Sequence, residues 1–178
     1  MKIFISCSSS DEISDEYKIV SKYLINEISK NNDLVFGCAN SGLMGLCYNT
    51  FLNNKRKIYG VCNEIYIDNL KELDINEIKY AKCLEEANKL LGELSDIILI
   101  LPGAFGTLCE LMDLLEEKRV GIHEKDIIIF NINGYYNELF SMFDKINKKV
   151  SKRYDYTKLC KIFTTSDEII DYVNKKNC

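Results

Sequence analysis

Two rhythms of apolar residues alternate along this chain. Short apolar runs of strand length recur at 2–7, 34–37, 57–62, 96–101, 126–131 and 161–164. The runs ILIL (98–101) and IIIF (127–130) are unbroken rather than alternating, as in parallel strands covered on both faces. Between the runs, apolar residues recur at steps of three and four, which gives a helix one buried face. After Ser10, read as an N-cap ahead of Asp11 and Glu12, the stripe is Ile13, Tyr17, Val20, Leu24 and Ile28. Leu108, Leu111, Met112 and Leu115 form another, and similar stripes run through 44–52, 81–94, 136–146 and 167–173. The stretch 63–80 is the least regular and reads as a surface excursion near the site. Such alternation predicts an α/β fold of Rossmann type, a three-layer sandwich with a mainly parallel sheet and helices on both faces. No linker or repeat interrupts the 178 residues, so a single domain over 1–178 is expected.

Composition narrows the function classes. The net charge is −4, with acidic and basic residues interleaved. That pattern offers no basic face for nucleic acid and no polybasic patch for a membrane surface. No window holds the roughly 18 to 20 apolar residues of a membrane helix. The opening MKIFISCSSS is too short an apolar run for a signal peptide and reads as the first strand. Eight cysteines include no C-x-x-C pair, and His123 is the one histidine, so no metal site is expected. The cysteines read as reduced packing residues, which implies a cytoplasmic protein. His123 itself reads as a cap or surface group after a helix end.

In sheets of this kind, ligands bind beyond the carboxyl ends of the strands. Glycines cluster at two such ends: Gly37, Gly42 and Gly45, then Gly103 and Gly106. In LPGAFGTLCE (101–110), a buried strand turns through Pro102, Gly103, Ala104 and Phe105 into a helix beginning near Gly106 and Thr107. Small residues let a ligand approach the backbone, and free N–H groups at a helix start attract an anion. The loop therefore reads as a phosphate cradle built without Lys or Arg. Thr107 and Glu110 also have the T-x-x-E spacing of a capping box, so Glu110 is open to two roles, helix cap or catalytic carboxylate. In FGCANSGLMG (36–45) the alternative is an ordinary turn capped by Asn40 or Ser41. Tyr135 and Tyr136, after Gly134, read as the packed start of a helix.

These segments resemble the LOG family, the cytokinin riboside 5′-monophosphate phosphoribohydrolases long labelled lysine decarboxylases. The GGGxxGLMG signature corresponds to residues 37–45, and PGGxGTxxE to residues 102–110. Further matches are Cys7-Ser8-Ser9-Ser10, Ser95-Asp96, Gly121-Ile122-His123 and Asn133-Gly134-Tyr135-Tyr136-Asn137, in family order over nearly the whole chain. The resemblance implies a homodimer that hydrolyses the N-glycosidic bond of a nucleoside 5′-monophosphate, giving free base and ribose 5-phosphate. It implies no cofactor. The ligand would be a nucleoside monophosphate or a similar phosphorylated small molecule, held by Gly103, Ala104, Phe105, Gly106 and Thr107 with Gly37, Ser41 and Gly42. Glu110 would be catalytic. The family's Arg-bearing MHERK-like segment falls on Leu84-Glu85-Glu86-Ala87-Asn88. Glu86 and Asn88 are thus candidate ligand residues, Ala87 stands where the family has its Arg, and Arg119 is a candidate substitute. Ala104 replaces a family glycine, at a cost of about 1 kcal/mol if that position needs φ > 0. A ligand-binding protein without turnover, on the same scaffold, is the alternative reading, and a related branch of the superfamily carries molybdenum cofactor.

Overall fold

The computed structural model describes residues 1–177, with Asn69 and Tyr154 described by their backbone alone. Seven strands form one sheet: β1 Lys2–Ser6, β2 Asp33–Phe36, β3 Ile58–Asn63, β4 Glu77–Ala81, β5 Ile97–Ile100, β6 Asp126–Phe130 and β7 Lys161–Phe163. Every pair is parallel, in the order β4-β3-β2-β1-β5-β6-β7. Among the described residues, six α-helices flank them, five between strands and the last after β7: α1 Asp15–Ile28, α2 Gly42–Asn53, α3 Leu84–Leu94, α4 Phe105–Arg119, α5 Asn137–Lys149 and α6 Ser166–Lys176.

Side chains on successive strand residues point to opposite faces, and both faces are apolar here. Ile3, Ile5, Leu34, Phe36, Ile97 and Leu99 pack on one side with Leu24 of α1, Phe51 of α2 and Ile169 of α6. Phe4, Val35, Ile98 and Ile100 pack on the other with Leu91 of α3, Leu111 of α4 and Phe143 of α5. The result is the expected three-layer α/β sandwich. Strand order reverses at β1, since the chain moves outward to β4 and then returns to place β5 on β1's other side. The carboxyl ends of β1 and β5 diverge at that reversal and open a crevice.

The structure departs from the sequence expectations at several boundaries. Residues 63–80, expected to be irregular, contain a 3₁₀ stretch, Glu64–Glu72, and most of β4. β4 is an edge strand whose residues are largely exposed, so its sequence EIKYA carries little apolar signal. α1 begins at Asp15 behind Ser14. Ser10 instead holds a preceding turn, its hydroxyl accepting from Glu12 N–H at 3.2 Å. Ala81 closes β4 and does not begin the helix at 84. α4 starts at Phe105, earlier than its apolar stripe, which brings Gly106 and Thr107 into the first turn. Cys7, Cys38, Cys47, Cys62 and Cys160 are buried thiols, while Cys83 and Cys109 are exposed; Cys178 lies outside the described residues.

Candidate functional site

The β1–β5 crevice holds two connected chambers. The smaller, about 140 Å³, is lined by Ser8, Ser9 and Ser10 leaving β1 and by Ala104, Gly106 and Thr107 leaving β5. The larger, about 410 Å³, extends past Gly37 and Ala39 to Val61 and Asn63 at the end of β3, with Ala87 and Asn88 of α3 on its flank. Ser9, Met44, Gly106 and Glu110 line both. Among the described residues, no Lys, Arg or His lines either chamber.

The small chamber is built from backbone. The first hydrogen bond of α4 runs from Leu108 N–H to the Ala104 carbonyl at 3.0 Å. The N–H groups of Phe105, Gly106 and Thr107 therefore precede the helical ladder and form the positive end of the helix. The loop's carbonyls are engaged elsewhere. Tyr136 Oη donates to Leu101 O at 2.6 Å and Tyr135 Oη to Gly103 O at 2.7 Å, while Ser8 N–H donates to Pro102 O at 3.1 Å. The tyrosines, read from sequence as packing residues, also hold this loop. Gly103 does not line the chamber; a Cβ there would collide with the Thr107 side chain. Phe105 is 88% exposed and turned outward.

Ala104 has φ −93°, so the expected strain at this position does not arise. Strain falls instead on Cys38, another residue standing where the family has glycine, at φ 61°. Its left-handed backbone costs about 1 kcal/mol, and its buried thiol occupies space that Gly60 leaves open.

Two N–H groups at the start of α2 are already engaged. Asp11 Oδ1 accepts from Gly42 N–H at 2.8 Å, and Ser8 O accepts from Met44 N–H at 3.1 Å. Ser41 sits at the N-cap position, but its hydroxyl donates to Ser9 O at 2.6 Å instead of capping the helix. Ser41 and Gly42 thus fasten α2 to the β1 exit and line neither chamber. Gly42 is at φ +58°, and a Cβ would come within 2.6 Å of Ser10 O. Glu86 is likewise turned to another task, accepting from Lys82 N–H at 2.7 Å. Arg119 reaches neither chamber: it pairs with Glu116 at 2.5 Å, roughly 13 Å along α4 from Glu110 by helical rise.

Glu110 does not close a capping box on Thr107. Thr107 is buried and Ala104 holds the N-cap position. The Glu110 carboxylate instead accepts a hydrogen bond from Ser6 Oγ at the end of β1, a partner with no signal in the sequence. One edge of Glu110 faces the chambers, but the carboxyl lies deep in the crevice. Burial raises its pKa to about 7; the Ser6 hydroxyl pulls it down and the Asp113 charge pushes it up. Asp113 in turn accepts from Asn88 Nδ2 at 2.6 Å. His123 is remote from the site and bridges Leu114 O (3.1 Å) and Lys125 N–H (3.2 Å). Asn63, Tyr66 and Leu84 also line the larger chamber. Asn63 and Tyr66 come from the stretch without periodicity, where sequence gave no reason to single them out, whereas Leu84 opens the segment matched to the family's Arg-bearing motif.

Fold and site together describe a Rossmann-type protein with a ligand-sized crevice at its strand-order reversal and a buried carboxyl in its wall. Residues 44–173 match the family model described as possible lysine decarboxylase, and the chain belongs to that family, the LOG family. A cytokinin riboside 5′-monophosphate phosphoribohydrolase of Arabidopsis thaliana is 33% identical over 81% of this chain and 68% of its own length. A probable enzyme of the same name from Oryza sativa is 32% identical over 81% of this chain and 58% of its own. Among solved structures, the molybdenum cofactor carrier protein of Chlamydomonas reinhardtii superposes with a TM-score of 0.71 at 13% identity, covering 98% of this chain and 96% of that one. The molybdenum cofactor binding protein of Rippkaea orientalis gives 0.71 at 14% identity, covering 99% and 97%. At such identities these two likenesses concern the fold alone.

Proposed function

We propose that this protein is a nucleoside 5′-monophosphate phosphoribohydrolase, cleaving the N-glycosidic bond to give free base and ribose 5-phosphate. The observation that carries the reading is the Glu110 carboxyl at the junction of the two chambers. The 5′-phosphate sits in the small chamber on the N–H groups of Phe105, Gly106 and Thr107, and the base extends into the larger. Glu110 lies one helical turn, about 5 Å, beyond those donors, where a ribose anchored by its phosphate presents its anomeric carbon. As the base departs, positive charge grows on the ribose, and the ionised carboxylate stabilises it while water adds. Among the described residues no lysine lines the cleft, which leaves a Schiff-base decarboxylation without its nucleophile.

The test is direct. AMP, GMP, CMP and a cytokinin riboside 5′-monophosphate are each incubated with the protein, and base and ribose 5-phosphate are separated by chromatography. Equimolar release of both from at least one nucleotide is expected; release from none removes the reading. One observation favours a second reading, nucleotide binding without turnover: Ala87 and Asn88 bring no cation to the cleft wall. Calorimetric binding with no product would establish it.

The same reading makes the protein a cytoplasmic homodimer. An apolar groove of about 360 Å³ beside α4 and α5 is lined by Met112, Leu115, Phe143, Ile146 and Val150, and Val150 is 72% exposed. A second copy is its proposed occupant, as the family resemblance implies, and would cover the exposed Val150. Light scattering should give twice the 20.6 kDa chain mass, falling to one chain in Val150→Asp. A monomeric parent would remove this part.

A further inference from the structure

Among the described residues that line the two chambers, Glu110 is the sole carboxyl, and no Lys, Arg or His accompanies it. The larger chamber is walled chiefly by Met44, Val61, Ala87 and Leu91, with the Asn88 carboxamide and Tyr66 beside them. More negative charge stands close by. Asp113 accepts from Asn88 Nδ2 at 2.6 Å, and its charge opposes the ionisation of Glu110. Breaking an N-glycosidic bond leaves the bonding electron pair on the base. An uncharged base such as adenine or cytosine then departs as an anion unless an acid protonates it as the bond breaks. Glycoside-cleaving sites commonly divide this work between two carboxyls, one ionised and one protonated. A lone carboxyl cannot be ionised beside the ribose and protonated toward the base in the same step. A base already positive at its glycosidic nitrogen needs no proton, because the returning electron pair neutralises it.

We propose that the preferred substrates are nucleoside 5′-monophosphates whose base is a cation at the glycosidic nitrogen, a ribosylpyridinium being the simplest, and that nucleotides of uncharged bases are poor ones. This rests on the phosphoribohydrolase reading and names the substrate class of that same site. The C1′–N bond breaks and its electron pair returns to the ring, giving a neutral pyridine. Water adds to C1′ to give ribose 5-phosphate, and its surplus proton passes to the Glu110 carboxylate and on to solvent. The charges of Glu110 and Asp113 also favour a cation on that side of the cleft. Tyr66, on the chamber wall, has the electron-rich ring that such a cation prefers.

Nicotinamide mononucleotide carries such a base, and its dihydro form has nearly the same outline without the charge. Both are incubated with the full chain at pH 8 beside AMP and CMP, and released base and ribose 5-phosphate are measured against enzyme-free controls. The kcat/KM for nicotinamide mononucleotide is expected to exceed each of the other three by about 100-fold, the low end of what a proton donor supplies to an uncharged leaving group. A ratio above about tenfold against all three sustains the proposal, and a lower ratio against any of them overturns it. Failure to cleave nicotinamide mononucleotide while any uncharged nucleotide is cleaved overturns it too. Both of these failures leave the phosphoribohydrolase reading in place. No release from any of the four, nor from GMP or a cytokinin riboside 5′-monophosphate, removes the proposal together with that reading.

Discussion

Glu110→Gln is expected to abolish base release while raising the melting temperature at pH 8. Turnover should fall by about 10³-fold, the usual scale for removing a group that stabilises transition-state charge, with nucleotide affinity nearly unchanged. The stability gain follows from proton linkage. The native carboxyl holds its proton up to about pH 7, whereas an unperturbed one releases it near 4.5. Between those values the native state binds more protons than the unfolded state, so stability falls as pH rises through the window. At pH 8 the full cost is present, at most about 3 kcal/mol for a shift of this size. A neutral amide retains the Ser6 contact and escapes that cost. A gain on the order of 2 kcal/mol, roughly 4–8 °C for a chain of this size, should appear at pH 8 and shrink by pH 5. In the parent, kcat/KM should rise with pH through about 7 as the carboxylate forms. A variant that melts below the parent at pH 8, or that still releases base at the parental rate, would contradict this role.

The second large effect separates the two glycines of the loop between β5 and α4. A Cβ at Gly106 meets nothing within 4 Å, and Gly106 lines both chambers. Gly106→Leu should therefore fold with a melting temperature at or slightly above the parent's, since it also removes a flexible residue from a helix. Its side chain would fill the corner meant for phosphate, and affinity for AMP and ribose 5-phosphate should drop more than 100-fold. Gly103→Ala should do the reverse, because its new methyl group collides with buried Thr107. A loss of about 1–3 kcal/mol of stability is expected there. Denaturation and calorimetry on both variants check the pattern. Parental affinity in Gly106→Leu would show that the phosphate lies elsewhere.

The architecture was readable because its determinants are local. Unbroken runs such as IILIL and IIIF are what buried parallel strands require, and the helices between them carry clean stripes. β4 escaped because an edge strand needs few apolar residues. The loop that lines the small chamber was legible through its small residues, and Glu110 through its spacing from Thr107. Its environment was not legible: Ser6 lies 104 residues away and meets Glu110 only because β1 and β5 are neighbours. Asn63 carried no pattern at all, since its place beside the larger chamber is a property of the fold. Ser41 and Gly42 show the converse. Their motif is plain in the sequence, yet the structure spends their polar groups on Ser9 and Asp11.

The tyrosine pair at the start of α5 bears on how fast a ligand could be captured. With the carbonyls of Leu101 and Gly103 tethered by Tyr136 and Tyr135, the loop is rigid before any anion arrives, and its ordering entropy is met during folding instead of at encounter. Capture would then need no closing motion of that segment. Association should run at the pace set by diffusion and orientation, with selectivity expressed in how long a nucleotide stays.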